Sequence, residues 1–308
     1  MFKRILVPIE STDHSAEALS LARHLAEHGA ARIILVRVEP KHASNDDVSA
    51  HKAALEDETQ RLRLAGFDAY ALIEFDRPED GISTAARYQR SDVIVMAPRH
   101  RSGLQALRHP SVTMRMFSHS PAPLLIWPGH APDEEPRDLL PSAASLVIVP
   151  LDGSEIAEHA LPYATAFAAD FDRTLLLVRV VPRITLIGAG AGSLLLEAEA
   201  QQDENRKALR YLKELRRHIA RDTSVAVQTA LRIGDPAHEL LLLAGSHAES
   251  LIVMATHGRG GIARAVVGSV TSKVVQEATI PILVVPTGHE LGVAPPETVR
   301  RRHPSGRM

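Results

Sequence analysis

The chain has 308 residues, 45% of them hydrophobic and 23% charged, and a formal net charge of −2. A charge this close to neutral gives no field that would recruit nucleic acid or a membrane surface. The absence of cysteine excludes disulfides, iron–sulfur clusters and thiol catalysis, and no apolar run approaches the roughly 18 residues of a membrane span. A strand pattern begins at Arg4, which leaves no room for a signal peptide, so we expect a cytoplasmic protein.

The sequence contains an internal repeat. Four segments match later segments in the same order, the first two pairs at an offset of 142 and the last two at an offset of 158, which indicates a tandem duplication. The matched pairs are 5–11 with 147–153, 35–38 with 177–180, 92–97 with 250–255, and 123–126 with 281–284.

The duplication divides the chain into two predicted domains. We assign residues 1–128 to the first repeat and residues 145–287 to the second, with a linker at 129–144 and a disordered basic tail at 288–308. The change of offset means that the second repeat gained 16 residues between its second and third strands. We interpret the glycine-rich stretch 188–193 of this insertion as a flexible connector.

Short Val/Ile/Leu runs alternate with longer helical patterns in both repeats. Apolar residues recur at the spacing of amphipathic helices over 16–30, 51–65 and 205–220. Each repeat is therefore predicted to run β-α-β-α-β-α-β-α-β. Because the strands are apolar on both faces, each repeat should form a doubly wound, five-stranded parallel sheet of the Rossmann-like α/β class.

Candidate site residues lie in three loops of the second repeat. Ligands bind such folds beyond the carboxyl ends of the strands, where the strand order reverses, which selects the loops after Val149, Val180 and Met254. Asp152 in the first loop is suited to accept hydrogen bonds from ribose hydroxyls or an adenine amine. It is equally suited to cap the following helix, a position for which Ser154 competes. The backbone around Val180 could face a flat base.

The third loop is rich in glycine and leads into a helical pattern. Glycine at positions 258 and 268 would let an anion approach backbone amides without a Cβ in the way, and Ser269 adds a hydroxyl at the helix start. The alternative is that Gly258 and Gly268 are ordinary turn and cap glycines. No GxxxxGK[ST] motif is present, so this is not the loop of P-loop NTPases.

With these motifs the chain resembles a tandem universal stress protein over nearly all of residues 2–287. Nucleotide-binding members of that family carry G-2x-G-9x-G-[S/T]; here Ala255 stands at the first glycine, while Gly258, Gly268 and Ser269 match the rest. The resemblance implies a fold like the adenine nucleotide alpha hydrolases and a site for ATP, with Mg²⁺ as a possible companion. It also implies that strand 123–127 pairs with 281–285 inside the chain. The binding residues it implies are Pro150, Leu151, Asp152 and Val180 for adenosine, Gly258, Gly268, Ser269 and Val270 for the phosphates, and Met254, Ala255, His257 and Arg259 as further contacts.

The first repeat carries a degraded form of the same motif. His100 and Pro110 stand at the positions of Gly258 and Gly268, which adds a Cβ and removes an N–H, and Glu10 replaces Asp152. We therefore expect no ATP in this repeat. Its loop residues could hold an anion through their side chains, although we favour a solvated basic face: Arg99, His100, Arg101, Arg108 and His109.

These observations predict an ATP-binding protein of the stress response with one nucleotide site per chain. One rival is a slow ATPase or phosphotransferase, for which only Asp152 and His257 are candidate groups near the γ-phosphate. The other is an interaction scaffold that binds no nucleotide. We assign no catalytic residue and no metal site, and we interpret His24 and His28, one helical turn apart, as surface residues. The expected partners are ATP and a second molecule of the same chain, without nucleic acid or membrane.

Overall fold

A computed structural model of the chain describes residues 2–10, 12–97, 112–117, 120–127, 145–185, 193–247, 249–256 and 268–287. The predicted linker and the predicted C-terminal tail lie outside these ranges. None of the helices in these parts of the chain is both long and apolar enough to cross a bilayer.

The first repeat alternates strands and helices as predicted. Its helices begin before the apolar periodicity becomes regular, at residues 12 and 45 rather than 16 and 51. The elements are β1 (Arg4–Pro8), α1 (Thr12–Gly29), β2 (Arg32–Glu39), α2 (Asn45–Leu64), β3 (Ala69–Phe75), α3 (Pro78–Gln89), β4 (Val93–Met96), α4 (Val112–Met116) and β5 (Leu124–Ile126).

The second repeat follows the same order with two changes. Its first helix is broken in two, because Pro162 lacks the N–H that a continuous helix would need and instead occupies the first turn of a new helix. The elements are β6 (Leu146–Pro150), α5 (Glu155–Glu158), α6 (Leu161–Asp170), β7 (Thr174–Val181), α7 (Ser193–Asp222), β8 (Val227–Ile233), α8 (Pro236–Ser246), β9 (Leu251–Ala255), α9 (Ser269–Glu277) and β10 (Ile282–Val285).

The second change is the length of α7. It has 30 residues, whereas its counterpart α2 has 20. Much of the inserted sequence is therefore helix rather than connector. The prediction of a connector over 188–193 is wrong at Ser193, which is the first residue of α7. Residues 188–192 lie outside the described ranges.

All the strands belong to one ten-stranded sheet in the order β3-β2-β1-β4-β5-β10-β9-β6-β7-β8. Each repeat has its own strands in the order 3-2-1-4-5, and all pairs within a repeat are parallel, which confirms the predicted doubly wound fold. The repeats join through antiparallel pairing of β5 with β10, in the register Ile126↔Ile282, Leu125↔Leu283 and Leu124↔Val284. The predicted internal pairing of these strands is confirmed.

The hydrophobic core runs through both repeats without a break. Alternate strand residues point to opposite faces of the sheet, and each face carries one cluster that draws on both repeats. Leu125 and Leu283, which are partners across the joint, belong to the same cluster and are fully buried. The two repeats therefore share a core instead of each closing its own.

Helices of the two repeats also meet beside the joint. The rings of His24 and His28 on α1 stack with centroids 4.8 Å apart, and His28 lies 4.8 Å from the ring of Phe171, just after α6. His28 is exposed and His24 is half-buried. The structure thus gives these histidines a packing role at the edge of the contact between repeats.

Candidate functional site

The three loops selected from the sequence lie side by side. Strand β6 is flanked by β7 and β9, with Val147↔Leu251 and Ile148↔Ile252 as register pairs on the β9 side. The chain leaves β6 toward β7 on one side, while β9 lies on the other. The ends of β6 and β9 therefore form the crevice at which doubly wound sheets bind ligands.

The loop after β6 holds the Asp152 carboxylate by hydrogen bonds to Ser154. Oδ1 of Asp152 accepts from the backbone N–H of Ser154 at 2.9 Å and from its hydroxyl at 2.5 Å. The Ser154 oxygen in turn accepts from the amide of Ala157 at 3.2 Å, so Ser154 is the N-cap of α5. This decides the competition for the cap position in favour of Ser154. Asp152 is half-buried at the mouth of the crevice.

Arg179 supports this loop from β7. Its Nη1 donates to the carbonyl oxygen of Leu151 at 3.3 Å. Gly153 sits over the same guanidinium with a φ of +80°, and a Cβ at that position would lie 3.3 Å from Nη1. The positive φ favours glycine there, and a Cβ would require the Arg179 guanidinium to shift by a few tenths of an ångström.

Sequence reasoning missed Arg179, although a signal was available. Arg37 stands at the same position of the first repeat, and its Nη1 donates to the carbonyl oxygen of Glu10. An arginine that recurs at the end of the second strand in both repeats, beside the loop after the first strand, marks a shared support for that loop.

A hydrogen bond between Tyr211 and Glu158 joins α7 to α5, the helix that follows the same loop. The Tyr211 hydroxyl on α7 donates to Oε1 of Glu158 on α5 at 3.0 Å. Burial raises the pKa of Tyr211, and the carboxylate of Glu158 raises it further; Arg179 opposes this and Asp152 adds a smaller increase. Glu158, Arg179, Asp152 and Tyr211 thus form one electrostatic cluster at the end of β6.

The loop after β9 is fastened at both ends. The amide of Gly268 donates to the carbonyl oxygen of Thr256 at 2.9 Å, and the hydroxyl of Thr271 donates to the carbonyl oxygen of Ala255 at 3.1 Å. The Thr256 hydroxyl is 3.0 Å from that of Thr287 and accepts from its amide at 3.2 Å. These bonds fix the start of α9 directly beyond the end of β9.

Gly268 is the N-cap of α9 and offers the helix no side-chain cap. Its φ of −58° and ψ of 141° are open to any residue, so backbone conformation does not require glycine here. The first amides of a helix have no acceptor inside it, and the glycine cap offers those of Ser269 and Val270 no side-chain acceptor. Ser269 is exposed and Val270 is half-buried.

The remaining predicted site residues divide into three groups. Pro150 and Val180 are half-buried at the ends of β6 and β7. Leu151, Met254 and Ala255 are buried in the core. His257, Gly258 and Arg259 lie outside the described residues.

The first repeat differs in the contacts of Arg37, its counterpart of Arg179. Arg37 Nε donates to Oε1 of Glu39 at 2.7 Å, and His51 Nδ1 lies 2.7 Å from the same oxygen. The Glu39 side chain is almost wholly buried, whereas valine (Val181) stands there in the second repeat. Its arginine is thus committed to a buried ion cluster. The basic loop residues and the substituted glycine positions, His100 and Pro110, lie outside the described residues.

The duplication, the sheet order and the crevice agree with a match to one protein family. The model of the universal stress protein family matches the chain twice, over residues 1–128 and 145–286. The chain belongs to the universal stress protein family. Both repeats are members, which makes the chain a tandem form.

Similar proteins match one repeat or the whole chain. Universal stress protein MJ0531 of Methanocaldococcus jannaschii is 33% identical over 140 residues, 45% of this chain and 80% of that protein. YxiE of Bacillus subtilis is 29% identical over 143 residues, 45% of this chain and 97% of that protein. The crystal structure of a universal stress protein from Archaeoglobus fulgidus matches 92% of this chain and 96% of its own, with a TM-score of 0.65 and 19% identity. At that identity the last match supports the tandem fold alone.

Proposed function

We propose that the second repeat binds ATP in the crevice between the ends of β6 and β9, and that the chain acts in the stress response as a nucleotide-dependent regulatory protein. Asp152, Val180 and the backbone at Pro150 and Leu151 would hold adenosine. The amides of Ser269 and Val270 would hold the phosphates. Met254, Ala255, His257, Gly258 and Arg259 would line the rest of the loop.

The observation that carries this proposal is the glycine cap of α9. A helix N-terminus combines uncovered amides with the positive end of the helix dipole, which suits a phosphate group. Here that terminus is held against the end of β9 by Gly268 and Thr271, across the crevice from a carboxylate at the end of β6. In this proposal the N-terminus of α9 suits the phosphates of a nucleotide and the carboxylate of Asp152 suits its adenosine, and both belong to loops at the same edge of the sheet.

The role of Gly268 follows from its hydrogen bond. Because its own amide is bonded to Thr256, its contribution to phosphate binding is the absence of a side chain. Each hydrogen bond from an amide to a phosphate would contribute about 1.5–3 kcal/mol. The amides of Ser269 and Val270 together with the helix dipole supply binding energy without a lysine. Mg²⁺ would be held mainly by phosphate oxygens and water.

Calorimetric titration of nucleotide-stripped protein with ATP and Mg²⁺ tests the proposal. We expect one site per chain. Asp152→Asn keeps an oxygen that can accept from Ser154 but removes the charge that favours ribose or adenine donors, and should weaken binding about tenfold. Glu10→Gln, the matched change in the first repeat, should leave binding unchanged. Two sites per chain, or no binding, would contradict the proposal.

The same preparation separates the rival functions. A slow ATPase or phosphotransferase would release or transfer the γ-phosphate at a measurable rate, and a Gly268→Pro variant that no longer binds ATP would lose that activity. A scaffold that binds no nucleotide would give no heat with ATP. We favour binding without turnover because the carboxylate of Asp152, one of the two candidate groups for catalysis, is hydrogen-bonded to Ser154.

A further inference from the structure

Helix α7 carries three exposed leucines outside the face that packs on the sheet. It packs on β7 and β8, the two outermost strands of the second repeat, through buried residues that include Ala208, Leu212 and Ile219. On other sides of the helix, Leu195 is 67% exposed, Leu196 57% and Leu209 52%. An exposed leucine is unremarkable alone, but these three are arranged along one helix.

Leu195 and Leu209 form a stripe with Gln202 at its centre, whereas Leu196 lies about 100° away around the helix axis. Residues seven apart on an α-helix lie within about 20° of each other around the axis, so Leu195, Gln202 and Leu209 share one line on the surface. Gln202 is exposed as well. The two leucines flank it symmetrically, each about 10 Å away along the axis. Such spacing suits a contact centred on Gln202.

The charges of α7 are divided at the same point. Residues 193–205 contain four acidic residues and no basic one, namely Glu197, Glu199, Asp203 and Glu204. Residues 206–222 contain seven arginines and lysines and two acidic residues. Ion pairs at the boundary, Asp203 with Arg206 and Glu204 with Lys207, stay within the helix. Away from this boundary, one half of the helix is acidic and the other is strongly basic.

We infer that α7 pairs with α7 of a second molecule of this chain, antiparallel and centred on Gln202. In that arrangement Leu195 of each molecule lies beside Leu209 of the other, and Glu199 lies beside Arg206. The two helices overlap over residues 193–211, where the charged residues nearest the stripe, Glu199 and Arg206, have opposite signs. A parallel pair would bring like charges together along the whole length, which is unfavourable. The antiparallel pair is related by a twofold axis and so closes as a dimer.

The position of α7 in the fold leaves this surface accessible. Strands β5 and β10 are paired with each other inside the chain, so they cannot join two molecules. Helix α7 covers the far end of the sheet, where β8 is the last strand. Leu195, Gln202 and Leu209 are exposed at this end of the sheet.

Single cysteines test the arrangement directly, because the chain has no cysteine of its own. Gln202→Cys puts a thiol on the proposed twofold axis and should give a disulfide-linked dimer under mild oxidation. Arg216→Cys is the matched control, exposed on the same helix 14 residues further along. Its two copies would lie about 40 Å apart in an antiparallel pair, so it should not cross-link. Equal cross-linking of both variants, or of neither, would overturn the inference.

Mass measurements by light scattering complete the test. The wild-type chain should give twice the 33.5 kDa of one molecule, and Leu209→Lys should halve this value. Glu199→Lys should also dissociate the dimer, and adding Arg206→Glu should restore it. Circular dichroism should show unchanged helix content in each variant, because all of these side chains are exposed. A wild-type monomer, or a dimer unaffected by Leu209→Lys, would overturn the inference.

Discussion

The backbone amide of Gly268 donates a hydrogen bond of 2.9 Å to the carbonyl oxygen of Thr256. This bond closes the loop between β9 and α9 at its base, so the first turn of α9 is held at the end of β9. The site proposed for ATP depends on this closure and on the missing side chain of Gly268. The two requirements can be tested separately.

Replacing Gly268 by serine should raise stability and weaken ATP binding. The backbone at residue 268 is already in the conformation that N-cap serines adopt, so the hydroxyl would cap α9 and stabilise the fold by a few tenths of a kcal/mol. The same hydroxyl would cover amides proposed to bind phosphate, and ATP affinity should fall at least tenfold. Thermal unfolding and calorimetry measure the two effects. A variant that gains stability and keeps full affinity would mean that Gly268 is only a helix cap.

Replacing Arg179 should weaken ATP binding, whereas replacing its counterpart Arg37 should lower the free energy of unfolding. Arg179→Met removes the donor to the Leu151 carbonyl and should weaken ATP binding about tenfold by loosening the Asp152 loop. Arg37→Met should leave ATP binding unchanged but cost about 3 kcal/mol, because it deprives the buried Glu39 of an ion-pair partner. Titration and urea unfolding of both variants check this. Equal effects of the two changes on ATP affinity would contradict a site confined to the second repeat.

Tyr163 should destabilise the fold at high pH. Its hydroxyl is buried without a hydrogen-bond partner among the described residues. Burial, with a contribution from Asp92, raises its pKa to about 12. The unfolded chain releases this proton at about pH 10, so the stability that Tyr163 contributes is complete below pH 10 and is lost as the pH rises toward 12.

Tyr163→Phe should therefore reduce the loss of stability between pH 10 and pH 12. At neutral pH the same variant should be as stable as the wild type or more so, since an unsatisfied buried hydroxyl costs about 1–3 kcal/mol. Urea unfolding at pH 7.5 and above pH 10 gives both values. A marked loss of stability at pH 7.5 would show that the hydroxyl has a favourable partner.

The joint between the repeats should make them unfold together. Leu283→Ala, in the second repeat, empties space beside Leu125 in the shared core and should cost about 2–5 kcal/mol. Trp127, the chain's single tryptophan, follows β5 in the first repeat and is buried. Its fluorescence should report the same transition as circular dichroism in both wild type and variant. If the unfolding transition followed by Trp127 fluorescence is the same with and without Leu283→Ala, the repeats unfold independently.

The sequence alone was sufficient to predict the sheet but not the contacts around the site. The matched segments coincide with four of the five strands of each repeat, because strands buried on both faces are near-continuous apolar runs. They leave out β3 and β8, which are more exposed, and the pairing of 123–127 with 281–285 came from the family resemblance. The support of the Asp152 loop by Arg179 could not be predicted in the same way. It joins residues 28 positions apart through one side chain, and no local pattern records such a contact.

The sequence did not predict the helix boundaries correctly, and the reasons are local. Pro162 divides the first helix of the second repeat, a break that the helical periodicity conceals because both pieces keep apolar residues toward the core. Helix α7 begins at Ser193, immediately after the glycines that suggested a connector. The role of Gly268 was also only partly predictable. Its sequence position indicated a helix start, whereas the commitment of its amide to Thr256 depends on how β9 and α9 pack.

A crystal structure of the chain grown with ATP and Mg²⁺ tests the central claim most directly. The account predicts one nucleotide per chain, with its phosphates within hydrogen-bonding distance of the amides of Ser269 and Val270 and its ribose or adenine against Asp152. Nucleotide density in the first repeat, or away from the ends of β6 and β9, would contradict it. So would a second repeat that stays free of nucleotide at saturating ATP.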